Sequence, residues 1–309
     1  MGAAPGVRYP EAMPDAVAAA TPPVAVSSAP PVGALLREWR LRRRLSQLAL
    51  AGDADTTTRH LSFIETGRSQ PSRAMLLRLA ECLQMPLRAR NVLLLAGGFA
   101  PVFPERTLDH PGLAAARRAI DLVLAGHEPY PALAIDRHWT LVAANRAVMP
   151  LLATVDPALL QPPVNVLRLA LHPGGLPTRI VNLDEWRGYL LGRVTRQLEL
   201  APDATLAALR DEVCGYSSPS PAPHAETAAP DGGGEITVHL RLACKHGVLS
   251  FISSTMVFGG PGDVTLSELA VESFFPADAQ TGEVLRQIAA AREAVDAPAS
   301  TSRPTGGYG

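Results

Sequence analysis

Within seven residues, Thr57, Thr58, Arg59, Ser62 and Phe63 bring together short hydroxyls, one guanidinium and one aromatic ring. The chemistry open to such a set is recognition of flat edges that carry both donors and acceptors. A guanidinium can grip the two acceptors of a guanine, hydroxyls can serve either kind of partner, and a ring can cover a thymine methyl. The set suits the floor of a DNA major groove, provided that something holds it outward.

The neighbouring residues describe that support. Leu61 and Ile64, three apart, share one helical face and point inward, which leaves Thr58, Arg59, Ser62 and Phe63 on the other. Thr57 is placed to cap this helix, and Ser46 to cap a shorter one, Gln47 to about Asp53, in which Leu48 and Ala49 are expected to be buried. Asp55 and Thr56 make the turn between them. Gly67 should end the second helix as a left-handed cap. Ser72 then caps a helix over 73–84 with Met75, Leu76, Leu79 and Leu83 in one stripe, and Leu87 to Ala96 make another, closed by Gly97 and Gly98. Upstream, a helix from Val32 or Gly33 to about Arg44 offers Leu35, Leu36, Trp39 and Leu45 to the same core. Gly52 is the weak point, about 1 kcal/mol poorer than alanine in a helix interior.

Charge agrees with this reading. Residues 31–106 hold twelve arginines against six acids, a net of +6, whereas the whole chain is −1. The cations are concentrated where a phosphate backbone would lie. The cluster Arg40, Arg42, Arg43 and Arg44 would be weaker support alone, since charge runs are usually solvated faces.

The caps, turn and apolar spacing from about Gly33 to Gly98 resemble the phage-repressor and Cro-like (Xre-type) helix-turn-helix family. The resemblance implies base contacts from Thr57, Thr58, Arg59 and Phe63, and one from Gln47 at the tip of the shorter helix. It also implies a pair between Arg40 and Glu65. Asp55 departs from the pattern, standing where the family turn usually carries glycine. The candidate DNA-contacting set is Gln47, Thr57, Thr58, Arg59, Ser62, Phe63 and Arg68.

The 309 residues are enough for two domains. Cys82, Cys214 and Cys244 form no CxxC pair, so neither a zinc site nor a disulfide framework is expected; Cys82 and Cys244 read as small hydrophobes. No apolar run approaches the length of a membrane span, and the first thirty residues have no basic start and no apolar core. A cytoplasmic protein without a membrane partner is expected.

The division expected is a disordered, Ala/Pro-rich tail over 1–30, a DNA-reading domain over 31–98, a connector with a helix over 99–128, a second domain over 129–290, and a helix end and loose tail over 291–309. The connector helix, about Gly112 to Ala125, shows Leu113, Ala116, Ile120 and Leu124 on one side and could join the domains or meet a second subunit. The second domain opens with a strand over 132–136, a turn at Arg137 and His138, a strand over 139–144, and Asn145 as the cap of a helix towards Leu152. Helices are expected over 164–171, 183–200 and 205–213; on the second, Trp186, Leu190 and Val194 lie at i+4 steps, as do Tyr189, Arg193 and Gln197. Ser217 to Gly234 reads as a loop. Strands follow over 236–244, 249–258 and 264–275, joined by turns fit for antiparallel neighbours, then a helix over 281–295.

The stretch Tyr130 to Arg146, with Asp263 to Leu266 and Phe274 to Asp278, resembles the MmyB-like ligand-binding domain of bacterial regulators. The resemblance spans about residues 105–290. It implies a PAS-like sheet flanked by helices around an apolar small molecule, with a fatty acid or similar lipid as the expected class. Candidate lining residues are Leu133, Ile135, Leu141, Leu190, Leu240, Phe251 and Phe258, each of which could equally be plain core.

Catalysis finds little support. The histidines form no HExxH and no close metal-ligand spacing, no glycine run is followed by Lys-Ser/Thr, and there is no GxSxG. Asp184 and Glu185 complement a helix dipole. The chain therefore reads as an α+β protein, an all-α five-helix helix-turn-helix domain followed by a PAS-like α+β domain with an antiparallel sheet. No enzyme, cofactor or metal is expected. Its expected partners are double-stranded DNA, an apolar small molecule and a second copy of itself. The alternative is a DNA tether whose second domain binds a protein and no ligand.

Overall fold

Three side-chain caps frame the first helices. The structure, a computed structural model, describes residues 30–217, 238–258, 260 and 262–296. The expected disordered start, the loop after Ser217 and the loose tail fall, but for their edges, outside those residues, as does Ile236 at the head of an expected strand. Helix α1 (Val32–Arg42) leads to α2 (Gln47–Asp53), where the Ser46 hydroxyl accepts from the Ala49 amide at 3.0 Å. Thr57 caps α3 (Thr58–Glu65) through the His60 amide at 3.1 Å, and Ser72 caps α4 (Arg73–Cys82) through the Met75 amide at 3.2 Å. Helix α5 (Leu87–Ala96) ends at Gly97. The inner faces of these helices meet in one core that includes Leu36, Trp39, Leu50, Leu61, Ile64, Leu76 and Leu79.

Two backbone details fix the geometry. Gly33 lets α1 touch the end of α3: a Cβ there would lie 2.3 Å from the Ile64 carbonyl oxygen, so any side chain would push the helices apart. Asp55 takes φ +51° in the turn, the left-handed conformation that glycine would adopt at least cost. One sequence expectation is corrected. Leu48 is 74% exposed and Ala49 is also exposed, while Leu50, Ala51 and Ala54 are buried. A helix of seven residues has two turns, too few for its spacing to fix the buried face.

After α5 the connector is held by Asn91, whose side chain accepts from the Val102 and Phe103 amides and donates to the Phe103 carbonyl. A 3-10 turn, Pro111–Leu113, opens α6 (Ala114–Gly126). This helix is no free connector. Its Ile120 and Leu124 pack on Ala132, Ala134, Ala143 and Val271, closing one face of a sheet.

That sheet contains β1 (Ala132–Ile135) and β2 (Leu141–Ala144), followed by α7 (Val166–Leu171), α8 (Leu183–Leu200) and α9 (Ala204–Cys214). Then come β3 (His239–Cys244), β4 (Gly247–Val257), the short α10 (Val264–Ser267), β5 (Ala270–Pro276) and α11 (Ala279–Asp296). The strand order is β2-β1-β5-β4-β3 and every neighbouring pair is antiparallel. The second face of the sheet carries the larger core, Leu133, Leu240, Leu242, Leu249 and Phe251 against Leu167, Trp186, Leu190, Val194 and Leu209, with Val284 and Leu285 of α11.

Two further expectations are corrected here. Asn145 does not cap an α-helix. Its buried side chain accepts from the Ala132 amide and donates to the Leu124 and Tyr130 carbonyls, which clamps α6 to the start of β1. Only a 3-10 turn follows, Met149–Leu152, with Pro150 inside it. The last strand does not begin at Val264. Asp263 accepts from the Thr265 amide at 2.9 Å and caps α10, and extended pairing starts at Ala270.

Candidate nucleic-acid interface and interior cavity

The exposed edge of α3 rests on two side chains. Leu61 and Ile64 are fully buried beneath it. Thr57 and Arg59 are exposed, Thr58, Ser62 and Phe63 are half-buried, and Arg68 is exposed just beyond the Gly67 turn. The guanidinium of Arg59 lies 5.4 Å from the centre of the Phe63 ring, and that of Arg68 lies 6.0 Å from it. The ring thus organises two cations on one edge, an arrangement of the cation–π kind.

The other end of α3 is pinned by Arg40 and Glu65. Arg40 Nε donates to Glu65 Oε1 at 2.7 Å, and its second nitrogen donates to Oε2 at 2.9 Å, a forked pair whose side chains are 8% and 2% exposed. Arg40 also donates to the Leu45 carbonyl, and Gln47 Nε2 donates to Glu65 Oε2 at 2.8 Å. Burial by itself would raise the Glu65 carboxyl, but the hydrogen bonds from Arg40 and Gln47 and the charges of Arg40 and Arg37 hold it below the usual range. Gln47 stands at the tip of α2 and is already engaged with Glu65, so α2 and α3 are tied where the resemblance expects a base contact.

On the larger core face of the sheet there is a cavity of about 100 Å³. Of the residues expected to line a ligand site, Leu133, Leu141, Leu190, Leu240 and Phe251 surround it. Ile135 faces instead a cleft on the outside, and Phe258 packs with the α6 cluster on the opposite face. The cavity is apolar except at one point. Arg193 pairs with Glu272, which also accepts the Thr255 hydroxyl, and the Arg193 guanidinium sits 4.9 Å from the Trp139 ring centre. Burial would depress the Arg193 pKa, yet its partner Glu272 raises it on balance, so the cation is firmly held. Two signals for these residues lie in the sequence, the i+4 series Tyr189, Arg193 and Gln197, and a glutamate inside the apolar strand β5. Only the fold shows that they meet.

The cleft has a volume of about 870 Å³ and lies between the helical unit and the sheet unit. Leu35, Trp39 and Val92 stand on one wall and Arg193, Arg196 and Leu200 on the other. A chain of charges forms part of its lining. Arg88 of α5 donates to Glu105 of the connector and to Glu268 at the end of α10, and Arg137 lies between Glu268 and Asp203. Arg88 is consequently raised well above the ordinary arginine value, first by the hydrogen bond to Glu268. Among the described residues no group of three His, Cys, Asp or Glu side chains could hold a metal ion, and no helix is long and apolar enough to cross a membrane.

Comparison with known proteins gives two matches along the chain. A family profile described as a helix-turn-helix domain matches residues 31–93. One described as the MmyB-like transcription regulator ligand binding domain matches residues 116–288, more than half of the chain. None of the curated proteins matches significantly. Among solved structures, one titled "Structure of an RNA-binding Light-Oxygen-Voltage Receptor" matches at 14% identity with a TM-score of 0.22. The match covers 86% of this chain and spans 65% of that one.

Proposed function

We propose, for a chain that belongs to the MmyB-like transcription regulators, a one-component switch: the helix-turn-helix unit reads a specific DNA sequence, and an apolar, fatty-acid-like molecule held by the sheet unit changes how well it does so. The observation that carries the first half is the edge of α3, where Arg59 and Arg68 flank Phe63 in the open while Leu61 and Ile64 anchor the helix beneath. Arg59 is assigned to a guanine, Phe63 to a thymine methyl, and Thr57, Thr58 and Ser62 to edges or phosphates within reach. Two copies bind adjacent half-sites about 34 Å apart, as helix-turn-helix readers do. The division into a reader over 31–98 and a sensor over 129–290 follows from this, as does a cytoplasmic site of action without catalysis.

Selection of genomic fragments by the purified full chain tests it. Recovery of a shared, two-fold symmetric sequence is the expected result, and recovery of fragments with no common sequence would refute specific reading. One observation favours the second reading, a tether without a ligand: about 100 Å³ is below the 300–1,000 Å³ that small-molecule sites usually offer. Native mass spectrometry of protein purified from cells separates the two. A retained lipid supports the switch, and an empty chain whose operator affinity ignores added lipid supports the tether.

A further inference from the structure

Helix α6 covers only half of the sheet face on which it lies. Its Ile120 and Leu124 pack on β1, β2 and Val271 of β5. Residues paired across an antiparallel ladder point to the same face, as do alternate residues along a strand. Met256 is paired with Val271, and Ile252 with Phe275, so Met256, Ile252 and Phe275 lie on the α6 side of the sheet. All three are exposed, and with Ser254 and Ser273 they make an uncharged strip beside the helix. The helix ends next to Phe275, whose ring meets that of His127 edge-on at 4.7 Å. The chain reaches α6 from the other end of the strip, where Val264 donates to the Pro104 carbonyl and Glu268 holds Arg88 of the DNA-reading unit. Leu122 stands half a turn round from Ile120 and Leu124, on the outer ridge of α6, and is 74% exposed.

Resting on the reading that two copies occupy one operator, we infer that this face is where the copies meet. The ridge of α6 in one copy, centred on Leu122, seats on the strip of the second copy, and the same contact is made in return. Ridge and strip lie side by side on one face, which is what an isologous two-fold contact requires. The strip is uncharged and the exposed ridge carries one charge, Arg118, so the contact buries apolar surface and strands no carboxylate. Helix α6 has 13 residues and is therefore about 20 Å long. Two helix-on-sheet contacts of that length bury on the order of 1,200 Å², where stable interfaces begin. Symmetry adds a second argument. The two helices share one layer, each over its own sheet and under the other, only if the two-fold axis runs along them, and they are then parallel. An axis across them would stack α6 on α6 and leave both strips bare. With the axis along α6 both chains enter the layer from the same end, and both DNA-reading units stand there, as adjacent half-sites on one duplex demand.

Sedimentation velocity of the full chain without DNA tests the surface. The wild type is expected to be a dimer. Leu122→Glu and Met256→Lys, both at exposed positions, should each weaken dimerisation tenfold or more, because each sets a charge against an apolar neighbour. Mixed in equal amounts the two variants should dimerise again, since one contact then joins opposite charges and the other is unaltered. Leu200→Glu, at another exposed leucine, should change nothing. Circular dichroism melts confirm that each variant is folded. A monomeric wild type, a dimer untouched by both variants, or a mixture that stays monomeric would overturn the surface. Footprinting on the selected operator separates this inference from the reading beneath it. Two protected half-sites with a dimer untouched by both variants would move the interface elsewhere and keep the paired reading. One protected half-site with a dimer dispersed by both would keep the surface and remove the paired reading.

Discussion

Replacing Arg40 with alanine removes one half of the forked pair that fastens α1 to the end of α3. Both side chains are almost wholly buried, so the loss strands a carboxylate away from water. Breaking a buried pair from one side costs about 3–5 kcal/mol. Glu65 would still accept from Gln47 at 2.8 Å, which places Arg40→Ala at the lower end, about 3 kcal/mol. For a cooperative unit of this size each kcal/mol moves the midpoint by about 4–8 °C, so the helical unit should melt roughly 12–24 °C lower. Differential scanning calorimetry of the full chain, with α-helical circular dichroism alongside, reads that shift. The double variant Arg40→Met/Glu65→Leu should recover most of the loss, because both charges leave together and apolar groups fill the space.

The same pair predicts a pH dependence. The folded Glu65 carboxyl lies below its ordinary value of 4.5, so the unfolded chain binds its proton first as pH falls. Its stabilisation is therefore complete above about pH 4.5 and declines as pH drops through the lower folded value. Glu65→Gln should flatten the melting temperature across that acid window relative to the wild type. An unchanged melt for Arg40→Ala, or a double variant as weak as the single one, would refute the reasoning.

Other expectations can be checked with ordinary assays. Arg59→Ala should weaken operator binding by about 1–3 kcal/mol, roughly 5- to 150-fold, and change random-DNA binding much less; equal losses on both would make Arg59 a phosphate contact. Arg88→Ala removes the clasp between α5, Glu105 and Glu268, and because the groups are partly buried it should cost about 1–3 kcal/mol, seen as faster amide exchange in α10 and at Val264, whose amide donates to Pro104. Tyr216 donates to Glu212; burial and then that carboxylate push its phenol up to about 12. A difference ultraviolet titration against Tyr216→Phe should show one phenol ionising there. Glu212 itself is lowered to about 2, first by Arg168, so its small contribution should fade between about pH 4.5 and pH 2 and vanish in Glu212→Gln.

What could be read from the sequence was local. Ser46, Thr57 and Ser72 announce their helices because a cap acts within three residues, and Leu61 with Ile64 fixes a face because α3 has a capped start and a glycine stop. The same logic failed at Leu48 in a helix of two turns. It failed again at Val264, where an alternating run looks extended but Asp263 bonds the Thr265 amide and winds it into α10. The pair Arg40–Glu65 spans 25 residues and came from family likeness, not from spacing. Arg193 and Glu272 are 79 apart, and β5 reaches them only by inserting between β1 and β4. Nothing local encodes that insertion, so the polar lip of the cavity and the whole cleft lay beyond the sequence.

The placement of β5 gives a short route from ligand to DNA. Glu272 on this strand borders the cavity, and Glu268, four residues earlier, holds Arg88 of the DNA-reading unit. Four residues of chain cover at most about 13 Å, so no long relay is needed. On the proposed switch, a molecule that enlarges the cavity would displace β5 or α8, and either movement would bear on the Arg88 clasp or on the cleft wall. Coupling of binding energies is reciprocal. In the wild type, on the proposed switch, operator DNA should therefore change the affinity for a fluorescent fatty acid such as 11-(dansylamino)undecanoic acid by the same factor by which that probe changes the affinity for DNA. In Arg88→Ala both factors should shrink together while each ligand alone still binds. A variant that kept one factor and lost the other would violate the linkage and show that the two titrations were not following one equilibrium. Two intact factors would move the coupling away from β5 and onto the wall formed by Trp39 and Val92.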